Sequence, residues 1–534
     1  MAGAMTGGFD AAWASLPEYL GWHVLLSLSA ILLGVAISLP LAILSARFRL
    51  LRGPALGLAS IVQTIPGLAL LALFYPILLG LSAFTQATFG FGFRALGFLP
   101  ALAALTLYSM LPVLRNTVTG LTNIDPAVMT AARAVGMTRG QQLWLVELPL
   151  AAPVILGGIR TAAVWVIGTA TLSTPVGQTS LGNYIFTGLQ TENWILVLFG
   201  CVAAAVLALV VDRLLALAED GLVMRSRARL IGAATGLALV IGVSIFPLLA
   251  AAREHAVTVG TKSFEEQYIL GALIGDRLKH AGFVTERRDG LGSQVIFDAL
   301  AAGDVDVYVD YSGTIWSDDM KRTDLPSRAQ VLTQMADWLR RKHGITYVGP
   351  LGFENAYAFA MRRDRAAALH INSLADLAAY AQHMKIGGDF EIFSRPEWRS
   401  VKHAYGLRFG VERQYQPDFL YRALAAGDVD VISAFSSDGR VAQYGLKLLT
   451  DPKGALPPYD AVLLVSPEHA HDAPLLAALK PLIGSIDLAS MQRANLMVDR
   501  DTDKRSPEQV AKMLDSEIAA RAHAPTSSLP TPPR

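Results

Sequence analysis

Residues Ala299–Val307 read ALAAGDVDV, and the same nine residues return at Ala423–Val431. The copies continue in similar fashion, through YVDYSGT after the first and ISAFSSD after the second. In each, ALAAG reads as a helix end stopped by glycine, the residue that takes a left-handed backbone at little steric cost. DVDV then enters a strand. The loops beyond, Tyr311 to Thr314 and Phe435 to Asp438, each carry one aromatic and small hydroxylated residues. The repeat predicts two similar α/β lobes. Ligands of open α/β sheets lie off the carboxyl ends of strands, so both loops are expected to face a shared cleft. Around the repeat, VTVG, YAFAM, KIGG and VLLVS read as further strands separated by helical stretches.

This pattern fills only the second half of the chain, about residues 253–520. The whole has 534 residues, 52% hydrophobic, with a mean hydropathy of +0.40, too apolar for an ordinary soluble protein. Its net charge of +1 provides no global field for nucleic acid. No lysine precedes Lys262, and residues 1–252 run through long apolar stretches. A bilayer span needs roughly 20 apolar residues. Six are expected, near 19–46, 54–80, 96–116, 151–175, 193–217 and 229–251. The first lacks a basic start and a cleavage pattern, and reads as a retained helix. Pro40, Pro66, Pro76 and Pro112 are expected to kink spans within ordinary bundle packing. Residues 521–534, rich in Pro, Ser and Thr, read as a disordered tail.

Loop charge sets the expected orientation. Arg47, Arg49, Arg52, Arg115, Arg133, Arg139, Arg160, Arg225, Arg227 and Arg229 fall on one side, and Arg94 on the other. By the positive-inside rule the Arg-rich side is cytoplasmic. Six spans then leave the lobed half outside the cell or in the periplasm. The lone Cys201 excludes an internal disulfide and a cysteine-based metal site.

One cytoplasmic loop is built to do something. It contains IDPAVMTAARAVGMTRGQQLWLVELP, Ile124–Pro149. Asp125 as N-cap and Pro126 at the first helical position start a helix, and Gly136 stops it. A second short helix, QQLWLVEL, leads to Pro149. So apolar an elbow suits docking into a partner's groove better than solvation. Ala131, Ala132, Gly136, Val146, Leu148 and Pro149 resemble the coupling loop of ABC-transporter permeases, with Thr130 where that family has glutamate. The resemblance implies a separate ATPase subunit docked on this loop, and a homodimer of the permease.

Enzyme readings find little support. There is no G-x-x-x-x-G-K-[ST] phosphate loop, so ATP is expected to bind to the partner and no cofactor to this chain. No H-E-x-x-H pair and no G-x-S-x-G elbow occurs, and no metal site is expected.

The second half resembles the substrate-binding proteins of glycine betaine, carnitine and choline uptake, a bilobed periplasmic-binding-protein type of fold. TKSFEEQ (Thr261–Gln267), DYSGT (Asp310–Thr314), ENAYA (Glu354–Ala358), DFEIFSRPEW (Asp389–Trp398), FSSDGR (Phe435–Arg440) and PPYDAV (Pro457–Val462) carry the resemblance. The expected architecture is a polytopic α-helical membrane domain followed by that bilobed α/β domain. A trimethylammonium group has no proton to donate and is best held on aromatic faces. Tyr311, Tyr357, Phe435 and Tyr459 are the candidate faces, with Phe264, Phe390 and Phe393 divided between ligand and core. Gln267, Ser312, Thr314, Asn355, Ser436, Ser437, Asp438 and Arg395 are the candidate polar contacts, Arg395 equally an internal ion pair.

The expected function is import of a small zwitterionic or cationic solute by a permease and receptor fused in one membrane-embedded chain. Ergothioneine importers share this fusion and are the alternative. A bilobed membrane receptor or channel is the reading from another class, but it has no use for a coupling loop.

Overall fold

The computed structural model describes residues 2–523 except 91–92, 94–95, 192, 252–255, 325, 390–391, 416 and 501–502. Arg94, Phe390, the expected domain junction near 252 and residues 524–534 thus lie outside the described residues. The described chain forms two compact units, one of residues 6–189 and 193–254, the other of the chain from 255 onward with 1–5 and 190–192.

The first unit is helical: α1 (Ala2–Arg47), α2 (Arg49–Thr64), α3 (Gly67–Phe89), α4 (Phe98–Thr122), α5 (Pro126–Ala134), α6 (Arg139–Gln142), α7 (Leu148–Ala170), α8 (Gly182–Gln190), α9 (Trp194–Val223) and α10 (Arg227–Ala251). Six helical stretches are long and apolar enough to cross a membrane, Ser15–Arg47, Gly67–Phe89, Phe98–Thr122, Arg139–Val176, Trp194–Val223 and Arg227–Pro247. The expected second span, 54–80, is divided. Pro66 forbids the helical backbone to the residue before it, and Ile65 is extended, with ψ 128°. α2 is therefore a separate helix and the span begins at Gly67.

QQLWLVEL is likewise not a free-standing helix. It forms α6 and one π turn, Leu143–Glu147, that runs directly into α7. Proline inside a helix clashes with the carbonyl four residues back, and the wider turn just before Pro149 relieves that crowding. α4 and α7 pack closely because glycine lets their backbones meet. A Cβ at Gly158 would lie 2.7 Å from the Asn116 Cβ and 2.9 Å from the Pro112 carbonyl oxygen.

Among the described residues the second unit holds ten strands: β1 (Val257–Lys262), β2 (Thr285–Leu291), β3 (Val307–Tyr311), β4 (Thr346–Glu354), β5 (Tyr357–Arg362), β6 (Lys385–Gly388), β7 (Val411–Gln414), β8 (Val431–Phe435), β9 (Leu446–Leu449) and β10 (Asp460–Val465). They form two five-stranded sheets, β2-β1-β3-β10-β4 and β7-β6-β8-β5-β9. The orders are equivalent. In each, three parallel strands adjoin an antiparallel fourth, which arrives directly from the other lobe. The chain crosses between lobes once from β4 to β5 and again from β9 to β10.

The nine-residue repeat builds the same corner twice. Gly303 and Gly427 have φ of 77° and 80°, where a side chain would be strained. The next amide closes on the helix, Asp304 to the Ala299 carbonyl at 2.8 Å and Asp428 to the Ala423 carbonyl at 2.9 Å. The second aspartate then grips the neighbouring strand. Asp306 accepts from the Thr258 amide at 2.8 Å, and Asp430 from the Lys385 amide at 2.9 Å. A final helix, Pro507–His523, extends three residues into the expected tail.

Candidate functional site

The loops after β3 and β8 meet the two crossings. The Ser312 hydroxyl donates to the Pro458 carbonyl and accepts from the Asp460 amide, both at 2.9 Å. The Ser436 hydroxyl donates to the Glu354 carbonyl at 3.0 Å and accepts from the Ala356 amide at 2.9 Å. Each serine thus brackets the residue at the centre of one crossing, Tyr459 or Asn355. The Asn355 amide in turn donates to the Tyr459 carbonyl at 2.9 Å, tying the crossings together. Gly313 leaves room for the Tyr459 ring, since a Cβ there would lie 2.6 Å from it.

At this junction three candidate aromatics come together. Tyr357, first residue of β5, stands opposite Phe435 in the sheet register. Their ring centroids are 4.9 Å apart, and the Tyr459 ring meets Tyr357 edge-on at 5.6 Å. The Arg395 guanidinium lies 5.5 Å from the Tyr357 centroid, so a cation sits at this ring. Arg395 also pairs with Asp318 at 2.7 Å, from one lobe to the other. The Tyr459 hydroxyl donates to Glu397 Oε1. Burial and that carboxylate hold the Tyr459 phenol well above its ordinary range.

Tyr311 belongs to a neighbouring network. Phe264 stacks on it at 6.1 Å, and the Lys262 ammonium lies 5.4 Å from its centroid. Its hydroxyl donates to Glu266 Oε1 at 2.5 Å and accepts from Gln267 Nε2 at 3.0 Å. Glu266, 1% exposed, also receives the side-chain amides of Asn355 at 3.2 Å and Asn495 at 3.0 Å. Burial raises its pKa, and hydrogen bonds from Ser437, Tyr311 and Asn495 oppose the rise. Thr314 is buried in the turn after β3, and Phe393 packs edge-on against Trp398 at 5.3 Å.

Asp438 pairs with Arg440 at 2.8 Å. Arg440 also reaches Glu265 at 3.3 Å and Asp499 at 3.6 Å, all four groups being buried. Of the sequence candidates, the structure brings Tyr357, Phe435, Tyr459 and Arg395 together and engages Ser312 and Ser436 with backbone. Glu266, Glu397, Asp318, Arg440 and Asn495 escaped the sequence reading. Nothing in a helix-start motif such as SFEEQ itself marks its carboxylates as buried.

A cavity of about 280 Å³ opens beside this group, lined among others by Trp316, Ser317 and Asp324 of one lobe and Glu397, Arg399 and Ser400 of the other. Glu397 is shared between the cavity and the aromatic group, whose ring faces suit a cationic, poorly hydrated head.

In the membrane unit, the elbow forms as its residues dictate. Asp125 Oδ1 accepts from the Ala127 amide at 2.8 Å and Pro126 opens α5. The Thr130 hydroxyl donates to the Pro126 carbonyl at 2.9 Å, within its own helix. Gly136 has φ 79°, and Thr138 with Gln141 caps α6 reciprocally. Ala132 is buried, whereas Ala131 and Pro149 are exposed and Leu148 is half-buried. Val135, Trp144 and Leu145 are 74%, 69% and 64% exposed, an apolar surface of the kind a partner covers.

Comparison with known proteins agrees with both halves. Residues 38–223 match the binding-protein-dependent transport system inner membrane component, and residues 255–514 match the substrate binding domain of ABC-type glycine betaine transport systems. The ergothioneine transport permease/ergothioneine binding protein EgtU of Helicobacter pylori (strain G27) is 29% identical over 486 residues, covering 86% of this chain and 82% of that protein. The choline transport system permease protein OpuBB of Bacillus subtilis (strain 168) is 40% identical over 208 residues, 39% of this chain and 88% of that protein. A crystal structure of a glycine betaine/carnitine/choline ABC transporter is 28% identical, with a TM-score of 0.44, covering 49% of this chain and 98% of that one. The chain belongs to the binding-protein-dependent ABC permease family, and it carries a glycine betaine-type substrate-binding domain on the same polypeptide.

Proposed function

We propose that the chain is the permease and receptor subunit of an importer for a quaternary-ammonium solute, captured between the two lobes. The aromatic group of Tyr357, Phe435 and Tyr459, with the Arg395 guanidinium 5.5 Å from the Tyr357 centroid, carries this reading. Aromatic faces attract a cation that cannot donate a hydrogen bond, and more strongly once water is excluded. Relatives named for choline, carnitine, glycine betaine and ergothioneine transport support the solute class. Ergothioneine is favoured among them by a relative that aligns over both halves of the chain.

In the proposed cycle the bilobed half faces the periplasm or cell exterior, a placement supported by the arginine-rich loops between the spans. A separate ATPase docks on the elbow at Val135, Trp144 and Leu145. Two copies of the permease unit enclose the path. Exposed apolar residues such as Leu198, Val202, Val206 and Leu209 on α9 suit lipid or that second copy. Uptake of labelled choline, carnitine, glycine betaine and ergothioneine by cells producing the chain with its ATPase tests the proposal. ATP-dependent accumulation of at least one supports it, and accumulation of none refutes it.

A further inference from the structure

Among the described residues, Glu397 is the acid that both touches the aromatic group and lines the cavity. It lies in the helix Pro396–Tyr405, is 2% exposed, and spends Oε1 on the Tyr459 hydroxyl. Its Oε2 is buried and accepts no hydrogen bond from any described residue. A buried carboxylate oxygen left without a donor is costly, and native structures keep such groups where a partner arrives from elsewhere. The cavity it lines is bounded by both lobes, with Trp316, Ser317 and Asp324 facing Arg399 and Ser400.

Resting on the quaternary-ammonium reading, we propose that Glu397 selects solutes that carry a hydrogen-bond donor beside the cationic head. A hydroxyl or ring N–H placed one tyrosine ring away from the ammonium would donate to Glu397 Oε2. Tyr459 fixes that spacing, since its ring meets Tyr357 and its hydroxyl holds the other oxygen of the same carboxylate. Choline offers a hydroxyl and ergothioneine a ring N–H. Glycine betaine offers no donor, and its carboxylate would face Glu397 as a like charge. Sites built to bond a solute's donor reject analogues that lack it, because the buried acceptor is then left unpaired.

The test is calorimetric titration of the purified full-length chain in detergent with choline, ergothioneine and glycine betaine, for wild type, Glu397→Gln and Glu397→Asp. Glu397→Gln keeps the size and an acceptor for Tyr459 but removes the charge. The expected result is that a donor-bearing solute binds wild type at least about tenfold tighter than glycine betaine, the range of a hydrogen bond to a charged group. That preference should shrink by about tenfold in Glu397→Gln, with Glu397→Asp in between, while thermal unfolding stays close to wild type. Equal or tighter binding of glycine betaine by wild type, or an equal loss for all solutes in Glu397→Gln, overturns the inference and leaves the quaternary-ammonium reading standing. Binding of none of the three, nor of carnitine as a fourth solute, overturns both.

Discussion

The Asn355 amide donates to the Tyr459 carbonyl at 2.9 Å, joining the two strands of chain that cross between the lobes. Ser436 brackets Asn355 and Ser312 brackets Tyr459, each through one hydroxyl that both donates and accepts. The repeated sequence therefore delivers a matched pair of clamps to the crossings between the lobes, the segments about which the lobes would hinge. The candidate ligand aromatics Tyr357 and Tyr459 lie on the clamped segments. Their position relative to one another is fixed by backbone hydrogen bonds rather than by side-chain packing alone.

Removing a clamp should loosen the hinge. Ser312→Ala leaves the buried Asp460 amide and the Pro458 carbonyl without that partner, a cost of about 1–3 kcal/mol. Ser436 is half-buried, so Ser436→Ala should cost less. Because Asn355 and Tyr459 are bonded to each other, the double variant should depart from the sum of the singles. Thermal unfolding of the three variants measures this.

Arg440 is surrounded by Glu265, Asp438 and Asp499. Burial, and then the charge of Glu265, raise the Asp499 carboxyl well above its ordinary range. Asp499→Asn keeps the side chain's size and leaves Glu265 and Asp438 on Arg440, so it should cost less than loss of the arginine. Arg440→Leu strands buried carboxylates and should cost about 3–5 kcal/mol. Denaturant titration of both variants separates the two effects.

Asp319 gives the receptor half a pH dependence. Its carboxyl is pushed up to about 8, by burial first and then by the charge of Asp310. Between its ordinary value of 3.8 and about 8 the unfolded chain has released the proton that the fold retains. This contribution to stability is therefore full at low pH, falls as pH rises through that window and levels off above it. Asp319→Asn should raise the melting temperature relative to wild type by about 2–4 °C at about pH 7.5, and by less at about pH 4.5.

Gly136 stops α5 with φ 79°, a backbone that costs other residues about 1–2 kcal/mol. Gly136→Val should distort the elbow without touching the receptor half. The expected outcome is uptake reduced several-fold while solute affinity stays at the wild-type value.

Much of this architecture was legible in the chain. Apolar runs located the membrane half, and Asp125-Pro126 with Gly136 marked the limits of α5, because caps and glycine stops are local effects. The division at Pro66 was also a local signal, outweighed in the reading by the apolar run on either side. The repeat announced two lobes, yet the roles of Ser312 and Ser436 depend on which backbone passes in front of each hydroxyl. That is set by crossings 146 and 82 residues distant in sequence. Glu266, Glu397 and Arg440 were missed for the same reason, since each is engaged by residues distant in sequence, Asn495, Tyr459 and Glu265.

The most direct measurement is titration of the full-length chain with choline, carnitine, glycine betaine and ergothioneine, comparing wild type with Tyr357→Ala. The account expects at least one solute to bind wild type with micromolar or tighter affinity, and Tyr357→Ala to weaken it by about tenfold or more, as loss of a desolvated cation–π contact requires. It also expects a neutral analogue, with a tert-butyl group in place of the trimethylammonium, to bind wild type poorly. Binding unchanged in Tyr357→Ala, or equal affinity for the neutral analogue, would contradict the account.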